Sequence, residues 1–208
     1  MRLPEGSHEK LWRLIISGIQ EIIGVDQLDV IMKNPELAHL MSVKQAAPLM
    51  SDIGRNDLVY IRNSLQQHYG KVSGLGITCR AGQSLFPHFL REFGDELGMS
   101  QNSFKLLPTH TKIFNGLQAF ADFFSQSMKS TINISQDQKN WYWEIRDCPW
   151  CRETASDMQV CYFPVGIIQS FTSWASGGRY YSVSEIECHA AGQEICIIAV
   201  DKVPLRMH

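Results

Sequence analysis

The sequence predicts an α+β domain, with N-terminal helices packed on an antiparallel sheet and a cysteine-lined hairpin near the C-terminus. Three observations carry this. Apolar residues recur with the 3.6-residue period of helices through most of the first 128 positions. From Ile132 the period changes to 2, the signature of strands. The stretch from Cys161 to Cys196 then holds three of the six cysteines around a Gly-centred turn.

Ser7 and Glu9 open the first helix, whose apolar face is Leu11, Leu14, Ile15, Ile19, Ile22 and Ile23, and Gly24 stops it. Residues 26–53 are less regular, broken by Pro35 and Pro48, and read as a lid, a dimer arm or a linker. Residues 1–53 are accordingly set apart as a helical extension of a main domain over 54–208. A second helix spans Asp52 to Tyr69 with Leu58, Ile61 and Leu65 on one face, and Gly70 follows its end. The next segment, KVSGLGIT, reads as a Gly-rich link. It is no nucleotide loop, because a third Gly is missing and a helix precedes it where a strand is required.

Ala81 to Leu97 reads as a helix carrying Leu85, Phe86, Phe89, Leu90 and Phe93, with Pro87 either in its first turn or at a kink. Thr109 to Met128 repeats the pattern with Ile113, Phe114, Leu117, Phe120, Ala121 and Phe124. Two Phe-rich helices facing one sheet are natural walls for a cavity.

Ile132 and Ile134 mark the first strand, and a turn at residues 137–140 leads to a second with Trp141, Trp143 and Ile145 on one face. Cys148-Pro149-Trp150-Cys151 follows at once. A C-x-x-C serves a metal, a structural loop or thiol exchange, and no convincing helix follows it as a redox motif requires. Pro164 starts a helix through Val165, Ile168, Phe171 and Trp174 that Gly177-Gly178 ends. The final hairpin pairs Tyr180–Glu187 with residues 194–203.

If that hairpin closes about Gly192, Cys188 and Cys196 lie opposite one another with Cβ atoms about 4.5–5.5 Å apart. Such a pair forms a disulfide or holds a metal. MRLPEGSHEK has no apolar signal region, so a reducing cytoplasmic setting is expected, which favours the metal. Zinc requires four ligands in a structural site, and Cys161 and Glu185 are the nearest candidates. On a regular strand, residues three apart point to opposite faces, so Glu185 joins Cys188 only if a bulge intervenes. His189 is a lesser candidate ligand.

Cys161, Gly166, the Glu185-x-x-Cys188 element and Cys196 resemble the 4-vinyl reductase domain family. They are also similar to the zinc-binding sensor domain of phenol- and xylene-responsive activators. The likeness is loose over most of the chain and close over residues 148–203. It implies zinc ligands Cys161, Glu185, Cys188 and Cys196, and leaves Cys148 and Cys151 as extra cysteines that could form an alternative site. It further implies a homodimer, and residues 54–208 as a ligand-binding domain.

The formal charge of −2 gives no basic footprint for direct nucleic-acid binding, and no apolar run is long enough to span a bilayer. Ten Phe, six Tyr and five Trp suit a small hydrophobic ligand such as a tetrapyrrole, another aromatic or a lipid. His110, Phe114, Trp141 and Trp143 are the candidate pocket residues, each equally readable as core or surface. The expected role is a metal-stapled carrier or sensor, with no catalytic residue assigned. The alternative is an enzyme or accessory subunit for 4-vinyl reduction of a chlorophyll-type precursor. In that case the cysteines could hold an iron–sulfur cluster, since the chain shows no dinucleotide fingerprint.

Overall fold

A computed structural model describes residues 6–40 and 56–206. The helical part comprises α1 (Ser7–Ile23), α2 (Val25–Met32), a 3₁₀ turn (Pro35–Leu40), α3 (Asp57–Tyr69), α4 (Lys71–Phe93), the short α5 (Asn102–Lys105) and α6 (Thr109–Met128). Then come β1 (Thr131–Gln136), β2 (Asn140–Arg146), α7 (Tyr162–Ala175), β3 (Tyr181–Glu187) and β4 (Cys196–Pro204). The expected break at Pro48 and the expected helix start at Asp52 lie outside the described residues.

The four strands form one antiparallel sheet in the order β1-β2-β4-β3, which establishes the α+β class. Asp137 shapes the β1–β2 turn: its Oδ1 accepts the N–H groups of Lys139 and Asn140, both at 2.7 Å. Trp141, Trp143 and Ile145 of β2 all face the core, as their alternation requires. Among the described residues no helix is long and apolar enough to cross a membrane.

The segment KVSGLGIT is not a link. It is the first two turns of α4, which runs through Pro87 and ends four residues before the expected Leu97. Its glycines serve close packing. A Cβ at Gly74 would come within 2.7 Å of the Gln66 backbone, so α3 and α4 meet where a side chain has no room. The break between them falls at Gly70, whose φ of 85° suits a residue without Cβ. Further along α4, a Cβ at Gly82 would lie 2.2 Å from the Phe163 carbonyl oxygen. Across the same contact, a Cβ at Gly166 of α7 would lie 1.9 Å from the Cys79 carbonyl oxygen. The backbones of α4 and α7 therefore touch, and this fixes where α7 begins.

The two Phe-rich helices meet each other as well as the sheet. Phe89 of α4 lies 4.9 Å from Phe123 and 5.1 Å from Phe120 of α6, ring centre to ring centre. Phe120 lies 5.1 Å from Phe171 of α7, and Phe124 lies 6.0 Å from Trp143 of β2. These rings are fully buried and interlocked, so they fill space that the sequence suggested as cavity wall. A small enclosed cavity of about 10 Å³ lies nearer the N-terminal helices, among Ile15, Ile61, Arg62, Trp150 and Phe163.

Candidate metal centre

Five cysteines converge at one end of the sheet. Cys148 and Cys151 occupy the loop after β2, Cys161 sits at the N-cap of α7, Cys188 directly follows β3, and Cys196 opens β4. All five are buried, and none is in a disulfide. The Sγ–Sγ distances are 3.5 Å for Cys148–Cys161, 3.3 Å for Cys151–Cys196, 3.8 Å for Cys161–Cys196 and 4.0 Å for Cys161–Cys188. Bonded sulfurs would lie about 2.05 Å apart. Four sulfurs around one zinc at about 2.3 Å span tetrahedral edges of about 3.8 Å. The observed spacings are those of ligands around an ion.

A bulge answers the phase objection at Glu185. In the β3–β4 pairing Glu185 faces Ile198 while Glu187 faces Ile197, so Ile186 is an extra residue on β3. The inserted residue brings Glu185 and Cys188, three apart in sequence, onto one side. Glu185 Oε2 accepts the backbone N–H of Cys161 at 2.8 Å, whereas its buried Oε1 has no hydrogen-bond partner. A buried carboxylate oxygen left without a donor is costly unless a cation fills the gap.

The donors fall into two groups whose ligand atoms all lie within 4.8 Å of one another. One is Cys161, Glu185, Cys188 and Cys196; the other is Cys148, Cys151, Cys161 and Cys196. Each could hold one ion. Cys161 lies at the positive end of α7, which favours its thiolate, and the His189 N–H donates to Cys196 Sγ at 3.3 Å. His189 itself turns away, its Nδ1 lying 3.1 Å from the Gln193 carbonyl oxygen. Cys79, the sixth cysteine, is half-buried near Gln169 and outside the cluster.

The electrostatics are those of a crowded anion site. Burial pushes the Glu185 carboxyl up to about 8, with contact to Cys188 adding to the effect. Contact with Cys151 raises Cys188, but hydrogen bonds from Cys161 and Cys196 outweigh it and bring Cys188 down to about 6. Burial raises Cys148 and Cys161, and contact with Cys148 raises Cys196. Sulfurs this close cannot all be charged unless a cation shares the space.

The sequence reading missed Arg62. It sits on α3 between Ile61 and Leu65 at 2% exposure, and donates to the Trp150 carbonyl at 2.6 Å, Thr154 Oγ1 at 2.9 Å and Asn63 Oδ1 at 2.8 Å. None of these partners is charged. Burial lowers its pKa, while the neighbouring cysteines Cys161, Cys151, Cys188 and Cys148 act to raise it. A signal was present: Arg62 is four residues after Leu58, on the apolar face of α3.

The candidate pocket residues do not form one cluster. His110 is exposed, with its ring centre 5.3 Å from that of Trp141, and Phe114 is half-buried one turn along α6. Trp141 and Trp143 are core, at 1% and 0% exposure. A separate open groove of about 970 Å³ runs past Ile22, Ile23, Tyr69, Ile77, Cys79 and Tyr162.

Residues 141–202, which include every donor of the centre, match the 4-vinyl reductase domain. No curated protein sequence matches the chain. Several solved structures share its fold at low identity. One, from a study of heme distortion in the H-NOX family, is 14% identical with a TM-score of 0.61, covering 96% of this chain and 97% of that one. An oxygen-binding H-NOX domain related to soluble guanylate cyclases is 15% identical, with a TM-score of 0.58 and coverage of 99% and 98%. A Cs H-NOX mutant carrying the unnatural amino acid 4-cyano-L-phenylalanine is 14% identical, with a TM-score of 0.60 and coverage of 99% and 100%.

Proposed function

We propose that this chain, whose residues 141–202 belong to the 4-vinyl reductase domain family, is a metal-stapled binding domain for a small hydrophobic ligand, working as a carrier or sensor. The observation that carries the reading is the donor set Cys161, Glu185, Cys188 and Cys196, gathered within 4.8 Å with one carboxylate oxygen unpartnered.

Zinc is the ion we assign. Three thiolates and a carboxylate suit its tetrahedral preference, and the set matches the ligands implied by the resemblance to phenol-responsive sensor domains. Four protein donors leave no position for an activated water, so the ion supplies charge neutralisation and cross-linking. The chain's own groups do the rest. Glu185 positions Cys161 through its N–H, and Arg62 ties the Cys148–Cys151 loop to α3. An iron–sulfur cluster is the weaker assignment, because a multi-iron core drives its cysteine sulfurs further apart than 3.3–4.0 Å.

The H-NOX-like fold and the aromatic interior support ligand binding. Entry between helices and sheet would require rings such as Phe89 and Phe120 to part, with His110 and Phe114 at the rim and Trp141 and Trp143 beneath. The groove beside Cys79 and Tyr162 needs no such movement. We read residues 54–208 as the binding domain, residues 1–53 as its extension, and the working unit as a homodimer.

The test is elemental analysis together with organic-solvent extraction of freshly purified chain. Bound zinc, colourless protein and an extracted hydrophobic molecule are expected. Metal-free protein removes the staple, and a clean extract from metal-loaded protein removes the carrier role. Brown protein holding iron transfers the site to a cluster.

A further inference from the structure

The two donor groups overlap in a specific way. Cys161 and Cys196 belong to both, Glu185 and Cys188 only to one, and Cys148 and Cys151 only to the other. The shared sulfurs are 3.8 Å apart, a tetrahedral edge. Two tetrahedra joined along one edge have this make-up: two common corners and two private corners each. From the coordination chemistry of this arrangement we infer that the centre takes two zinc ions, with Cys161 and Cys196 bridging them. Glu185 and Cys188 complete one ion's shell, and Cys148 and Cys151 complete the other's. The inference rests on the single-site reading above and adds a second ion to it.

Three features favour a second ion over a pair of spectator thiols. Cys148 and Cys151 aim at the shared sulfurs, at 3.5 and 3.3 Å, in place of oxygen acceptors nearby. Their C-x-x-C spacing lets one loop present both sulfurs to one ion, and the turn closes on itself through the Cys151 N–H to the Cys148 carbonyl at 3.4 Å. Both sulfurs are sealed from water, Cys148 at 3% exposure and Cys151 at 0%. The charges also balance acceptably. Two Zn²⁺ against five thiolates and one carboxylate leave a net −2, which the buried Arg62 guanidinium partly offsets. Binding releases the protons still on the thiols, so loading with two ions should acidify an unbuffered solution more than loading with one.

The experiment is native mass spectrometry of the full chain, after zinc loading and removal of loose metal, paired with ¹¹³Cd NMR of protein reconstituted with cadmium. Two ions per chain are expected, with two ¹¹³Cd resonances split by coupling through the shared sulfurs. The double variant C148S/C151S should fall to one ion and one resonance while remaining folded. One ion per chain in the wild type overturns the inference and leaves the single-site reading intact. Two ions with uncoupled resonances overturn the bridging. No ion at all removes both readings. Should the double variant fail to fold, the wild-type stoichiometry and coupling decide alone.

Discussion

Replacing Arg62 by Met keeps the length of the side chain and removes its charge and all its hydrogen bonds. The guanidinium is 2% exposed and holds the Trp150 carbonyl and Thr154 on the loop that carries Cys148 and Cys151. A hydrogen bond from a charged donor contributes about 1.5–3 kcal/mol, and the Trp150 carbonyl would be left buried without its donor. Removing one partner from a buried ionic arrangement costs about 3–5 kcal/mol in total, and we expect a loss in that range here. At about 2–4 °C per kcal/mol for a chain of this size, the melting temperature should fall by roughly 6–20 °C. Urea unfolding at fixed zinc gives the free energy, and metal transfer to a chromogenic chelator gives the release rate, which should rise in parallel. A loss under about 1 kcal/mol, with unchanged release, would show that the loop is held by its sulfurs alone and that Arg62 is incidental.

Other perturbations test other parts of the molecule. Gly166→Ala places a methyl group 1.9 Å from the Cys79 carbonyl oxygen, so α7 must shift; overpacking costs about 1–3 kcal/mol or more, and both stability and metal retention should drop, as measured by thermal melting and elemental analysis. In metal-loaded protein a thiol reagent should find the half-buried Cys79 first and leave the other five protected, and a strong chelator should expose all six; early reaction of all six in loaded protein would contradict a metal-held cluster. His8 has its pKa pushed down by burial and by Lys129, and its Nε2 accepts the Trp12 N–H at 3.3 Å, so the folded state favours neutral imidazole. Its stabilisation is therefore present above pH 6.5 and lost as pH falls through the lowered folded value, a dependence that H8Q should remove from urea unfolding series. Glu185→Gln keeps an acceptor for the Cys161 N–H but loses the anion, so metal content should fall with little change in the metal-free fold, checked by elemental analysis and circular dichroism.

Much of this architecture could be read directly from residue periodicity. Leu11, Ile15 and Ile19 announced α1, and the alternation of Trp141, Trp143 and Ile145 announced β2, because each buries one face and the period exposes the geometry. The Cys188–Cys196 proximity followed from a turn about Gly192, whose φ is 91°. The beginning of α4 was misread because glycines ordinarily mark links, whereas Gly74 and Gly82 answer to neighbouring backbones that no local pattern reveals. The bulge at Ile186 was posed as a condition but could not be located, since it depends on which residue of β4 lies across from each residue of β3. Arg62 lay hidden for a similar reason: its partners are 88 and 92 residues away.

The N-cap position of Cys161 has a mechanical consequence. Glu185, Cys188 and Cys196 come from one hairpin and can assemble locally, but Cys161 rides on a helix clamped to α4 by touching backbones. Completing the ion's shell therefore demands that this helix be seated correctly, and a displacement of well under a bond length would lengthen one coordination bond. Grip on the ion becomes a gauge of helix seating, so anything that nudges α4, at the groove beside Cys79 or along α1, would be legible as a change in metal affinity. Titrating that affinity with and without a groove-bound molecule would read the gauge.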